Sequence, residues 1–172
     1  MNKKIALVGA SSVGKTTVYE LLKTKLSEYQ FINESTRTVA KYGFPINEDG
    51  TSETQLAISS FHLEALLTDK DTIYDRCYMD LLVYSTYMLY ISDSASKYIL
   101  DTYMRIQDRY THFIYFPIEF KSVDDGVRSI NEDWRTEIDN QFKSVLLATG
   151  RDYLTVTGSP KERVEQILNY IK

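Results

Sequence analysis

The chain has 172 residues, of which 43% are hydrophobic and 26% are charged, and its formal net charge is −4. This length and composition predict one soluble globular domain spanning residues 1–172, and no apolar run is long enough to cross a bilayer. The acidic balance argues against a surface that attracts nucleic acid or an anionic membrane, although it leaves room for a local basic patch. A single cysteine, Cys77, and an N-terminus unlike a signal peptide indicate a cytoplasmic protein.

Short apolar runs alternate with segments of helical periodicity along the whole chain. The predicted strands cover residues 5–8, 30–33, 72–75, 112–116 and 153–156. Helical segments separate them, and strands separated by helices pair in parallel. We therefore expect a three-layer α/β fold with a five-stranded parallel sheet and helices on both faces. Ligands of such sheets bind at the carboxyl ends of the strands.

Three helical segments carry more specific signals. The segment 55–67 has helical periodicity, and its apolar positions are Leu56, Phe61, Leu63, Leu66 and Leu67. Two tyrosine-rich segments, at about 78–91 and 95–109, also have a helical pattern. In the last helix Ser159 and Glu162 have the spacing of a capping box, and Pro160 occupies the first helical position.

The first strand runs into GASSVGKT at residues 9–16, a full match to the phosphate-binding loop G-x-x-x-x-G-K-[ST]. Its strand-loop-helix context is also the expected one. In such a loop Lys15 reaches the β- and γ-phosphates and the Thr16 hydroxyl holds Mg²⁺. The predicted ATP-binding residues here are Gly9, Ala10, Ser11, Ser12, Val13, Gly14, Lys15, Thr16 and Thr17.

Three classes of protein share this loop. A regulatory GTPase would carry a DxxG switch and an NKxD-type guanine reader, and neither occurs here. An ATPase motor usually follows the aspartate of its third strand with a second acid, whereas Asp75 is followed by Arg76. A cation beside the phosphates suits transfer to another molecule. Asp75 is then expected to face Mg²⁺ or the acceptor, and Arg76 to clamp an anionic or polar substrate.

Five segments, GASSVGKT, INESTR, TIYDRCYMD, DDGVRSINEDWR and TGSPKERV, together resemble the small P-loop nucleoside and nucleotide kinases. The chain is most similar to the ribosylnicotinamide-kinase-like branch, which is classed with AAA-type ATPases and includes many phage enzymes. The likeness runs from Ile5 to about Ile167. It implies a P-loop kinase fold with a short helical lid at about 122–140, ATP as the donor, and Mg²⁺.

The resemblance implies roles for residues around the second and third strands. Glu34 would be the general base and Arg37 its partner on the reacting phosphate, although Asp75 stays open as an alternative base. Gln55 would read the edge of a base, or be an exposed helix glutamine. Asp80 would orient Arg76 or cap the next helix. Tyr84 would stack on a base, or belong with Tyr87 and Tyr90 to a half-buried helix face.

The lid segment carries two arginines, Arg128 and Arg135, which are seven residues apart. By resemblance Arg128 above all would close over the phosphates and exclude water, and a solvated charged helix is the alternative. The loop at Gly158 resembles the one that flanks adenine in these kinases. His62 and His112 lack metal-ligand spacing and are expected to be structural.

The sequence thus predicts an Mg-dependent kinase that transfers the γ-phosphate of ATP to a hydroxyl of a nucleoside- or nucleotide-type acceptor. One alternative keeps this chemistry and changes the acceptor to DNA, at a hydroxymethylated base or a 5′ hydroxyl. A second is a nucleotide-binding regulatory ATPase with little transfer activity. The oligomeric state stays open, a homodimer included.

Overall fold

A computed structural model describes residues 2–88, 90–122 and 131–172. Five parallel strands form one sheet in the order β2-β3-β1-β4-β5. The strands are β1 (Lys4–Val8), β2 (Gln30–Ile32), β3 (Thr72–Asp75), β4 (His112–Tyr115) and β5 (Tyr153–Thr155). The predicted parallel five-stranded sheet is therefore confirmed, and each strand lies within one residue of its predicted bounds.

Helices connect the strands and cover both faces of the sheet. They are α1 (Lys15–Lys23), α2 (Thr36–Lys41), α3 (Ser52–Ala65), α4 (Tyr78–Ser85), α5 (Asp93–Ile106), α6 (Glu132–Thr149) and α7 (Pro160–Tyr170). Two short 3-10 helices, Asn47–Asp49 and Gln107–Arg109, precede α3 and β4. Helix α1 packs against α7, while α4 contacts α3, α5 and α6. Among the described residues, none of the helices is both long and apolar enough to cross a membrane.

The central strands form the core of the molecule. Residues 5–8 of β1 are completely buried, as expected for a strand with neighbours on both sides and helices on both faces. Several tyrosines join this core, and the Tyr110 hydroxyl accepts a hydrogen bond from the backbone N–H of Tyr78 at 3.2 Å. Much of the tyrosine content is therefore packed inside the protein.

The strand register brings two predicted segments together. Leu7 of β1 pairs with Asp75 of β3, and Val8 pairs with Tyr115 of β4. The loop that begins at Gly9 and the pair Asp75–Arg76 therefore leave the sheet side by side. This juxtaposition at the carboxyl ends of the strands is the one that the sequence predicted.

Helix α3 differs from the sequence pattern in the face that it buries. Leu56 and Phe61 of the helix are 40% and 37% exposed, and Leu67, which lies beyond its end, is 73% exposed. The buried residues of the helix are mostly polar: Thr54, Gln55, Ile58, Ser59 and His62. Thr51 caps the start of the helix with its side chain.

Two further helices differ from their predicted extent. Helix α4 ends at Ser85, so Tyr87 and Tyr90 lie beyond it and do not continue a helical face. Helix α6 has 18 residues and was not predicted as a long helix, because its sequence is rich in charged residues. In the last helix the capping box of Ser159 and Glu162, with Pro160 following the cap, is confirmed.

Candidate active site

The loop at residues 9–16 has the backbone of an anion-binding nest. Gly9, Ser12 and Gly14 have φ angles of 141°, 54° and 86°. A Cβ on Gly9 would lie 2.5 Å from the carbonyl oxygen of Phe116, so no other residue fits there. Left-handed turns of this kind gather backbone N–H groups around one point, and here that point lies at the N-terminus of α1. The loop can therefore hold the phosphates of a nucleotide.

Lys15 lies at the start of α1 with its side chain folded onto the loop. Its Nζ donates hydrogen bonds to the carbonyl oxygens of Gly9, at 2.7 Å, and Ala10, at 2.6 Å. The side chain is buried, and burial together with the nearby Arg76 charge lowers the pKa of Lys15. An anion beside this ammonium would offset both effects and favour its charged form.

Thr16 and Asp75 meet where α1 begins beside the end of β3. The Thr16 hydroxyl donates to Asp75 Oδ2 at 3.0 Å. Asp75 is 4% exposed, and its Oδ1 atom has no hydrogen-bond partner among the described residues. Burial raises the pKa of Asp75, and Lys15 opposes that rise. A hydroxyl beside an unsatisfied carboxylate oxygen fits Mg²⁺, which takes oxygen ligands and fills the rest of its shell with water and phosphate oxygens.

Arg76 forms the centre of a buried ionic cluster. Its Nε atom lies 2.7 Å from Glu34 Oε1, and its Nη1 atom lies 3.5 Å from Asp80 Oδ1. The second Asp80 oxygen accepts a hydrogen bond from the backbone N–H of Cys77 at 2.9 Å. Asp80 thus does both things that the sequence left open, since it contacts Arg76 and caps α4. The Arg76 guanidinium also lies over the Tyr84 ring, 5.1 Å from its centroid.

A cavity opens beside this cluster, between α3 and α4. Its apolar walls, formed by Ile46, Ile58 and Leu81, face polar groups. Glu34 and Arg76 line this cavity and also the pocket formed by residues 12–17 and Asp75. The phosphate pocket and the neighbouring cavity therefore meet at Glu34 and Arg76.

Gln55 lies in the wall of the cavity with an unsatisfied amide. The residue is 1% exposed, and its Oε1 atom has no hydrogen-bond partner within the described ranges. Its Nε2 atom points at the sulfur of Met88, 2.8 Å away. A thioether is a weak acceptor. Oε1 can therefore accept a hydrogen bond from a ligand, and Nε2 can donate one in place of its weak bond to Met88. Met88 was not foreseen, because nothing in the sequence places it beside α3.

His62 lies two helical turns after Gln55 and lines the same cavity. It is 5% exposed, and its ring packs edge-on against Tyr78 with 6.4 Å between the centroids. Burial and the Arg76 charge lower the pKa of His62 to about 4, so the ring is neutral near pH 7. The sequence suggested only a structural role for it. Its spacing of seven residues from Gln55 was the signal that could have placed both side chains on one face of α3.

The remaining predicted residues occupy several parts of the site. Arg37 is exposed on α2 and lines the cavity, and Thr17 lines the phosphate pocket. Gly158 has a φ angle of 89°, and its N–H donates to Glu119 Oε2 at 3.1 Å. Arg128 lies outside the described residues, as does much of the predicted lid.

Arg135 is not positioned as a lid arginine. It is 1% exposed, and its guanidinium donates to the carbonyl oxygens of Ser11 and Ser12. These carbonyls point away from the nest, so Arg135 lies behind the phosphate loop and does not close over it. The physical reason is that Arg135 lies near the start of α6, where its hydrogen bonds to Ser11 and Ser12 hold it against the loop.

Comparison with known proteins gives the family. A family model described as an AAA domain matches residues 4–163, nearly the whole chain. The chain belongs to this AAA-domain family. No curated protein matches the sequence of this AAA-domain protein.

Solved structures share the fold of the AAA-domain protein at low sequence identity. Deoxyadenosine kinase from M. mycoides, with dCMP and dCDP bound, is 17% identical with a TM-score of 0.76, covering 98% of this chain and 97% of that one. NadR in complex with NR is 16% identical with a TM-score of 0.80, covering 98% of this chain but only 51% of NadR. Thymidylate kinase from Candida albicans is 15% identical with a TM-score of 0.70, covering 99% and 91%. The fold is therefore that of P-loop nucleoside and nucleotide kinases.

Proposed function

We propose that this AAA-domain protein is a kinase that transfers the γ-phosphate of ATP to a hydroxyl group of a nucleoside-type acceptor. The observation that carries the proposal is the position of Glu34 and Arg76, which line both the phosphate pocket and the neighbouring cavity. At this junction the Glu34 carboxylate can contact the acceptor hydroxyl while the Arg76 guanidinium contacts the γ-phosphate. The fold shared with nucleoside and nucleotide kinases supports the same assignment.

The charges around the cavity favour a neutral acceptor over a nucleoside phosphate. Arg76, the cation nearest the junction, already contacts the carboxylates of Glu34 and Asp80. An acceptor that brought its own phosphate would add a further anion beside Glu34 and Asp80, while the transferred phosphoryl group also has to be served by Arg76. A hydroxyl acceptor has the opposite requirement, because it must lose a proton and Glu34 can take it.

The base of the acceptor would lie between the apolar walls, with one edge on Gln55. This amide offers a donor and an unsatisfied acceptor, which together match the hydrogen-bonding edge of a nucleobase. Tyr84 lines the same cavity and offers an aromatic edge. The position of Gln55 in the wall supports the role that family resemblance gave it.

The phosphate loop indicates how ATP, the phosphoryl donor, would bind. Its N–H groups and Lys15 would hold the β- and γ-phosphates, Arg128 would close over them by family resemblance, and the loop at Gly158 would flank adenine. Thr16 and Asp75 would hold Mg²⁺, which would neutralise charge on the triphosphate.

In the reaction, the acceptor hydroxyl gives its proton to Glu34 and its oxygen bonds to the γ-phosphorus. The bond from that phosphorus to the bridging β-γ oxygen breaks, and ADP leaves. Arg76 and Arg37 would stabilise the negative charge on the transferred phosphoryl oxygens. Because Arg76 contacts Glu34 directly, the same arginine also orients the base.

The test is transfer from γ-labelled ATP with Mg²⁺ to a panel of nucleosides, nucleoside monophosphates, and single- and double-stranded DNA. We expect label in a nucleoside monophosphate. Label in DNA would instead support the polymer acceptor, and label only in free phosphate would support the regulatory ATPase.

The matched variants are Glu34→Gln and Glu53→Gln, the latter an exposed carboxylate in the first turn of α3. Glu34→Gln should lower turnover about a hundredfold, the scale of losing a general base, with ATP affinity retained. Glu53→Gln should have wild-type turnover. Wild-type turnover in Glu34→Gln would remove Glu34 from the mechanism and leave Asp75 as the candidate base.

A further inference from the structure

Five consecutive carbonyl groups of the phosphate loop accept hydrogen bonds from cationic side chains. Lys15 contacts the oxygens of Gly9 and Ala10, as described above. The next three oxygens belong to Ser11, Ser12 and Val13, and two arginines from distant parts of the chain bind them. Cationic side chains thus hold every carbonyl group from Gly9 to Val13.

Arg135 of α6 binds two of these carbonyls as a fork. Its Nε atom donates to Ser11 O at 2.9 Å, and its Nη2 atom donates to Ser12 O at 3.1 Å. The Nη1 atom of the same guanidinium donates to Phe120 O at 3.0 Å and to Glu132 at 2.8 Å. Every nitrogen of this buried group is used, so its orientation is fixed.

Arg163 of α7 binds the third carbonyl. Its Nη1 atom donates to Val13 O at 2.7 Å, and its Nε atom donates to Gly158 O at 2.9 Å. It pairs with Glu119 and is 2% exposed. A Cβ on Gly14 would lie 3.3 Å from Nη1, so the guanidinium is packed directly against the loop.

A peptide unit that turns its carbonyl to one side presents its N–H to the other. Guanidinium groups that hold these carbonyls outward therefore bias the N–H groups inward, where a phosphate would lie. Neither arginine needs to touch the nucleotide to do this. A lysine could preserve the charge but not the planar fork that spans Ser11 and Ser12.

We propose that Arg135 and Arg163 are positioning residues that hold the phosphate loop in its binding-competent conformation. The proposal rests on the proposed function, because it requires that the loop bind a triphosphate. Each arginine also joins the loop to a second segment. Arg135 pairs with Glu132, which accepts hydrogen bonds from Ser122 at the edge of the predicted lid. Arg163 contacts Gly158, in the loop assigned to adenine.

The test compares Arg135→Lys and Arg163→Lys with Arg151→Lys. Arg151 is a matched control because its guanidinium also binds a backbone carbonyl, that of Gln107 at 2.5 Å, but far from the loop. The probes are Mg-ATP and inorganic tripolyphosphate, measured by titration calorimetry well below the melting temperature of each variant. Kinetics would add the KM for ATP and the KM for the acceptor found above.

We expect both lysine variants at the loop to bind tripolyphosphate and Mg-ATP about tenfold more weakly or worse, the scale of one lost charge-assisted hydrogen bond. The KM for ATP should rise while the KM for the acceptor stays near wild type, and Arg151→Lys should match wild type throughout. A purely structural role would lower the melting temperature and leave the phosphate affinity of the folded protein unchanged. That result would overturn the proposal.

Two further variants keep the test decisive if a lysine variant does not fold. Glu132→Gln and Glu119→Gln remove the carboxylate partners and leave the arginines in place, and each should weaken tripolyphosphate binding by a smaller factor. Wild-type affinity in both would count against the proposal. If the wild-type protein itself bound neither ATP nor tripolyphosphate, the proposed function would fail, which is a different outcome from loss confined to the variants.

Discussion

Arg76 has an unfavourable backbone conformation at the centre of the site. Its φ angle is 77°, in the left-handed region, which disfavours a residue with a side chain by about 1–2 kcal/mol. Its N–H donates to Leu7 O at 3.1 Å, so pairing with β1 holds the turn in place. The strained turn directs the guanidinium toward Glu34 and away from the sheet. Strained residues are common at functional sites. Here the strained turn places Arg76 in contact with Glu34 and Asp80.

The first prediction concerns the planar guanidinium of Arg76. Arg76→Lys should lower turnover about a hundredfold, because a point charge cannot contact Glu34, Asp80 and the transferred phosphoryl group together. Steady-state kinetics with saturating ATP and the acceptor found in the transfer assay would measure it. Arg105→Lys, at an exposed position on α5, is the control and should leave turnover unchanged. Equal turnover in the two variants would contradict the role given to Arg76.

At the scale of elements, the strands and the phosphate loop could be predicted from the sequence because their signals are contiguous. A buried parallel strand is a short apolar run with turn residues at its end, and the residues of β1 and β3 fit that description. The loop motif fixes its own backbone through Gly9 and Gly14. Glu34, two residues beyond the end of β2, could be placed near the strand ends for the same reason.

Helix α3 shows why the cavity beside Gln55 could not be predicted. Its apolar positions predicted a helix, but the helix buries the polar residues Gln55, Ser59 and His62 and exposes Leu56. A helix face that lines a cavity can carry polar residues where a core-facing helix would carry apolar ones. Such residues interrupt the hydrophobic periodicity from which a buried face is predicted. Met88 comes from a loop that approaches α3 only in the folded chain, through a bridge between Thr51 and Tyr90.

The second prediction tests the start of α7. The Ser159 hydroxyl accepts from the N–H of Glu162, and the Glu162 carboxylate accepts from the N–H of Ser159 at 2.7 Å. Ser159→Ala should lower the free energy of unfolding by about 1 kcal/mol, because one helical N–H loses its acceptor. Urea unfolding would measure the loss. Ser144→Ala, at an exposed position inside α6, should change the free energy by less than about 0.5 kcal/mol. A similar loss in both variants would show that the cap is not the cause.

At the scale of the whole molecule, the site is made by the topology of the sheet. The order β2-β3-β1-β4-β5 sets the carboxyl ends of β2, β3 and β1 next to one another. Glu34, Asp75 and the phosphate loop follow those ends, so residues far apart in sequence converge on one crevice. The segments carrying Arg135 and Arg163 reach the same loop from the opposite half of the fold. Sequence signals identify the convergent ends but not the side chains that pack behind them.

The third prediction follows from the neutral, buried His62. Its pKa of about 4 in the folded protein lies below the ordinary value of 6.5. The unfolded state therefore takes up a proton first as the pH falls from 7 to 5, and the folded state does not. This difference should reduce the free energy of unfolding by about 2 kcal/mol over that interval. His62→Gln should lose that part of the pH dependence, as measured by urea unfolding at pH 7 and pH 5.

His112 is the matched control, since the chain has only two histidines. It is partly exposed at the start of β4, and burial lowers its pKa. His112→Gln should keep most of the pH dependence of the wild-type protein. If His62→Gln and wild type lost the same free energy between pH 7 and pH 5, His62 would not be the titrating group.

Met88 lines the cavity and contacts the Gln55 amide. The sulfur rests on the Gln55 amide, and a Cβ on Gly50 would lie only 2.8 Å from it, so the thioether is tightly confined. A base that binds at Gln55 as proposed would have to displace the Met88 sulfur in order to pair with Nε2. The bound base would then replace the Met88 sulfur as the partner of Gln55. Because Met88 is part of the chain, it would compete with the base at a fixed effective concentration. Ligands with low affinity for Gln55 would not displace Met88. The Met88 side chain would therefore select, by affinity, the molecules that bind near Glu34.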